Sequence, residues 1–153
     1  MIKNLKFKIE NCSGQSLFEV VVALAISAVI VVALVSLASS SIRNATFAKN
    51  KTLASRYAEE AIERLRGQRD SDIDTFKSNS LSPVWCFENP SWSSPGSCSS
   101  GDEISGTIFL RELSFPDDGA TEIIEANVRV YWTDAQGEHE VRSATNFADW
   151  RER

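Results

Sequence analysis

Residues 17–37 form an apolar run broken by a single charge, Glu19, near its start. No other stretch limits the fold so tightly. As a helix rising about 1.5 Å per residue, a run of this length crosses the roughly 30 Å hydrocarbon core of a bilayer. Backbone groups in lipid must be satisfied within the segment, which leaves a helix as the only single-segment solution. Glu19 is the anomaly. An unpaired carboxylate at hydrocarbon depth costs a few kcal/mol, so it either has a partner and a function or marks the headgroup edge where the span begins. The next cation along the chain is Arg43, roughly six turns further on.

The helical pattern continues beyond the span. Residues 15–70 contain no proline, and their only glycine is Gly67. Ala54, Ala58 and Ile62 repeat at i, i+4, i+8, and Leu53, Tyr57, Ala61 and Leu65 do the same. Together they make an apolar stripe about 100° wide, suited to packing under a sheet. Glu60 and Arg64 form an i,i+4 pair in the favourable order. One continuous helix would be roughly 80 Å long. A small head needs much less, so half of it must find company in lipid or in neighbouring subunits. The alternative is a span and a separate helix, with a break near Ser39, Ser40 and Ser41.

Residues 71–105 read as a Ser- and Pro-rich connecting region, with Trp85, Phe87 and Trp92 packing it onto the rest of the head. Period-two alternation then predicts strands over residues 106–115, 122–133 and 138–147. In the second, Ala126, Val128, Val130 and Trp132 share one face, while Asn127, Arg129 and Tyr131 share the other. Asp134, Ala135, Gln136 and Gly137 make a turn signal between the second and third. The expected class is therefore α+β: a long N-terminal helix packed on a small C-terminal antiparallel sheet.

The net charge of -5 conceals an asymmetry. Residues 38–69 carry seven basic side chains against three acidic ones; from Asp70 onward there are sixteen acids and six bases. An acidic head argues against nucleic acid as the main partner. Cys86 and Cys98 lie in the Ser/Pro-rich stretch and read as a disulfide in an oxidising compartment. His139, the only histidine, sits in a predicted strand between Glu138 and Glu140 and reads as structural. No phosphate-binding loop or paired-cysteine metal motif occurs. Asp117, Asp118 and Glu122 bring hard oxygen ligands together without matching a calcium motif. No catalytic set, metal or cofactor is expected.

Gly14-Gln15-Ser16-Leu17-Phe18-Glu19 followed by VVVALAIS resembles the N-terminal signal of type IV prepilins and type II secretion pseudopilins. The resemblance is strong from about Ser13 to Ala38, and the hairpin VRVYWTDAQGEHEVRSATNF is similar to the last hairpin of minor pseudopilins of the I or V type. It implies cleavage between Gly14 and Gln15, methylation of the new N-terminus at Gln15, and a hallmark assembly carboxylate at Glu19. Cys12 would leave with the leader. The implied divisions are a leader at 1–14, a membrane half-helix at 15–38, an amphipathic half at 39–70, the disulfide-bearing loop region at 71–105 and the sheet head at 106–153. The implied role is a structural subunit, a minor pilin or pseudopilin, and not an enzyme. Implied partners are other pilin or pseudopilin subunits, a prepilin peptidase/methyltransferase, an inner-membrane assembly platform and the lipid bilayer. The N-terminus would start in the cytoplasm, the head would lie outside the cytoplasmic membrane, and the protein would pass into a fibre. Two departures favour a minor subunit: Gln15 stands where the family usually has Phe, and Ala28 and Ser36 stand where helix-interrupting Gly and Pro often fall. The competing reading is an extracytoplasmic binding module, secreted or anchored by one span, with an ordinary signal sequence. Ser36, Leu37 and Ala38 offer a small-x-small cleavage pattern for it.

Overall fold

The computed structural model describes residues 15–89, 92, 94–116 and 123–148. Gly14, where cleavage is expected, and the acidic trio Asp117, Asp118 and Glu122 lie outside them. The first helix, α1, spans Gln15–Ser71 and runs through the three serines at 39–41. The chain divides into two compact units, Met1–Thr46 and Phe47–Arg153.

The described part of the first unit is helix alone. Two of its hydroxyls bond back to the helix: Ser27 donates to the carbonyl of Ala23 at 2.7 Å, and Thr46 to that of Ile42 at 3.0 Å.

The second unit is the α+β head. After α1 come a short helix, α2 (Ile73–Ser80), and five strands: β1 (Val84–Cys86), β2 (Ser94–Pro95), β3 (Leu110–Ser114), β4 (Ile123–Asp134) and β5 (Gly137–Ala148). They form one antiparallel sheet in the order β2-β1-β3-β4-β5. The β4–β5 hairpin closes where Asp134 pairs with Gly137, whose φ of 120° suits a residue without a Cβ. The first predicted strand is shorter than its alternation suggested. Gly106, at φ 73°, and a bond from Thr107 N–H to the Ile104 carbonyl make a turn of its first residues.

The stretch at 71–105 holds more regular structure than its composition implies. Asp72 caps α2 by accepting from the Thr75 N–H at 3.0 Å and from its hydroxyl at 2.6 Å. These bonds hold the Asp72 carboxyl below its usual pKa. The Trp85 indole donates to the Asn79 carbonyl at 3.0 Å, fastening the end of α2 to β1. Trp85 and Phe87 are buried, and Trp92 packs against them, so the aromatics hold this region on the core.

The core follows the expected stripe. Ala54, Ala58, Ala61, Ile62 and Leu65 of α1 cluster with Ala126, Val128, Val130 and Trp132 of β4 and with Leu113 of β3. The helix side of this core is built mostly of small side chains, Ala54, Ala58 and Ala61, against larger ones from the sheet. Phe76 of α2 closes one end, meeting Phe147 at 5.2 Å and Phe115 at 6.3 Å between ring centroids. At the other, His139 lies over Trp132 at 5.3 Å and beside Phe47 at 5.1 Å. His139 is thus a packed residue of the hairpin, bonded to Asp134 at 2.9 Å.

Candidate functional site

Valine and isoleucine dominate residues 17–37, and neither is a strong helix former in water. The segment is helical nonetheless, as it must be if lipid surrounds it. Every side chain from Leu17 to Thr46 is exposed, including Leu17 at 73%, Phe18 at 71% and Leu37 at 67%. A bare apolar helix of this kind is incompatible with water as its only surroundings.

Glu19 is the one carboxylate on that surface, and it is exposed. Its neighbours one turn away along α1 are Gln15, Ser16, Val22 and Ala23, and none is basic. It stands at the fifth position of α1, beyond its first turn. No salt bridge to Glu19 forms among the described residues, and the next cation along α1 is Arg43.

The head contains two charge clusters, and neither was read from the sequence. Arg111, in β3, is 1% exposed. Its guanidinium donates to the carbonyls of Phe87 at 2.8 Å, Tyr57 at 2.9 Å and Glu88 at 3.2 Å, and to Glu60 at 3.1 Å. It thereby ties α1, the end of β1 and β3 together, and burial lowers its pKa. A sequence signal was present: alternation places Arg111 on the same face as Phe109, Leu113 and Phe115, all buried.

The second cluster lies on the sheet face away from the helix. Arg129 pairs with Glu112, Glu138 and Glu140, and Glu140 also accepts from Arg142. Hydrogen bonds from Arg142 and then Arg129 hold the Glu140 carboxyl below its usual pKa. Glu112 also accepts from the Tyr131 hydroxyl at 3.2 Å and from the Cys98 N–H at 3.1 Å. Burial, and then the Glu112 carboxylate, push the Tyr131 phenol up to about 12. The disulfide Cys86–Cys98 is formed, and Glu112 anchors its second half to the sheet. These groups are partnered within the head and form a stabilising network. Among the described residues no three His, Cys, Asp or Glu side chains gather as a metal site.

The family model for the prokaryotic N-terminal methylation motif matches residues 10–35, covering Glu19 and most of the apolar run. The chain carries a type IV pilin-like signal. This pilin-like motif points to a structural protein, not an enzyme, and supports processing by a prepilin peptidase. Together with the apolar helix it points to a single-pass membrane anchor. No curated protein and no solved structure matches the chain.

Proposed function

We propose that this chain is a minor pilin or pseudopilin that enters a type IV pilus or type II secretion-like fibre through its N-terminal helix. One observation carries the reading: the wholly exposed apolar stretch of α1, residues 17–37, bears a single carboxylate, Glu19, inside a methylation motif. Cleavage between Gly14 and Gln15 would create an amino group at nearly the depth of Glu19, and methylation at Gln15 would keep that amine available. A carboxylate–ammonium pair between neighbouring helices is strongly distance-dependent in a low-dielectric setting. It would favour one axial offset and so set the register of subunits. The acidic, disulfide-closed head then belongs outside the cytoplasmic membrane, with the leader inside.

Glu19→Ala tests this. Removing one partner of a desolvated pair costs several kcal/mol. The variant should be processed, membrane-bound and disulfide-bonded, yet missing from sheared fibres. Incorporation equal to wild type would reduce Glu19 to a marker of the membrane edge.

A further inference from the structure

Strand β5 is the edge of the sheet, and β4 is its only strand partner among the described residues. Asp134 and Gly137 close a two-residue turn, so their backbone groups point at each other. Counting from Gly137, odd-numbered residues of β5 face β4, and even-numbered ones turn their N–H and C=O to the open side. Edges this long are usually protected by charge, proline or a bulge. The first half of β5 has that protection in Glu138, Glu140 and Arg142; the second half, Ser-Ala-Thr-Asn-Phe-Ala, has neither charge nor proline. Beside this unprotected half lies an open groove of about 560 Å³, between Ser143, Ala144 and Thr145 and the α1 side chains Arg56, Glu59 and Glu63.

The geometry points to β5 residues 143–148 as a strand-docking edge that receives an extended segment of a different fibre subunit. A row of alternating N–H and C=O groups is complemented by another β-strand and by little else. The groove leaves room for that strand's helix-facing side chains, against an α1 wall of both signs, Arg56 and Arg66 beside Glu59, Glu60 and Glu63. A second copy of this chain fits poorly. Closed antiparallel pairing of β5 with β5 needs a two-fold axis normal to the sheet. That operation also reverses the part of α1 lying on the sheet, whereas two chains leaving one membrane need parallel helices. The opposite edge, β2, is two residues long and cannot supply the other half of a copy-to-copy ladder.

This inference rests on the chain being a fibre subunit. The test compares full-length protein in detergent with protein in sheared fibres, reading amide hydrogen exchange at Ala144 and Asn146. Exchange at both should slow at least about tenfold on assembly, the equivalent of ~1.4 kcal/mol. Ala144→Pro removes an outward N–H and leaves the β4 ladder intact. It should form its disulfide and enter the membrane as wild type does, but enter fibres about tenfold less. Unchanged exchange in fibres, or incorporation of Ala144→Pro at wild-type levels, overturns the docking edge alone. Wild-type protein absent from fibres overturns the subunit reading and the edge with it. A disulfide-linked homodimer of Ala144→Cys would give the edge to a second copy and overturn the assignment to a different subunit.

Discussion

The Arg111 guanidinium lies 3.1 Å from the carboxylate of Glu60, fifty-one residues earlier in the chain. The pair is unequal. Arg111 is buried, whereas 53% of the Glu60 side chain is exposed. Solvent screens the Glu60 share, so most of what Arg111 contributes comes through the three backbone carbonyls it bonds. Those carbonyls belong to α1 and to the segment after β1, which makes Arg111 the polar clasp of the head.

Arg111→Met should therefore destabilise the head by about 1–3 kcal/mol, since it takes the side-chain donor from the buried Phe87 carbonyl. Glu60→Gln keeps an acceptor in place and should cost about 1 kcal/mol or less. Thermal unfolding of both variants in detergent checks the order. Equal losses would mean that the ion pair, and not the carbonyl clasp, is what matters.

Loss of the Cys86–Cys98 bond, by Cys86→Ser with Cys98→Ser, should lower stability by about 3 kcal/mol for a loop with a sequence separation of 12. Intact protein isolated from cells should show no free thiol at either position in thiol-labelling mass spectrometry. Two free thiols would contradict both the bond and the oxidising compartment.

The elements legible in the sequence are those with a long, regular period. Residues 15–70 read as helix because no proline interrupts them, and the β4–β5 hairpin because Ala126, Val128, Val130 and Trp132 alternate up to a glycine-bearing turn. What escaped was short or stood against its type. Three residues, Val84 to Cys86, are too few to show a period, and their strand is fixed by pairing with β3. Helix α2 depends on one Asp72–Thr75 cap inside a segment whose overall composition reads as loop. Arg111 is buried because four acceptors converge from distant parts of the chain. Sequence alone shows only an arginine among apolar neighbours. The methylation motif was legible throughout, being local.

Acid should weaken the open face of the sheet. Glu140 and Asp134 have pKa values depressed in the folded state, Glu140 by Arg142 and Arg129, Asp134 by the Gln136 N–H and His139. Depressed carboxylates contribute stability that is present above the ordinary carboxylate range and lost as pH falls through the folded value. The melting temperature should thus fall below about pH 4 more steeply in wild type than in Glu140→Gln. Identical acid limbs would contradict the role given to Glu140.

Alkali should reveal Tyr131. Its phenol is raised to about 12 by burial and by Glu112, so the protonated form favours the fold. That contribution is present below the ordinary tyrosine value of about 10 and is lost as pH rises toward 12. In Tyr57→Phe, Tyr131 is the only tyrosine left. Phenolate absorbance should then titrate near 12, and Glu112→Gln should move it down. Titration near 10 in both would remove the Tyr131–Glu112 bond from the account.

The mass of the mature N-terminus tests the central claim most directly. Top-down mass spectrometry of protein from intact cells should find a chain beginning at Gln15, carrying one methyl group, with residues 1–14 gone. Gly14→Val should leave the full-length, membrane-bound precursor, because the residue before the cleaved bond would carry a side chain. A chain beginning at Ser39 would mean an ordinary signal peptide, and one beginning at Met1 an uncleaved anchor; either would contradict the account.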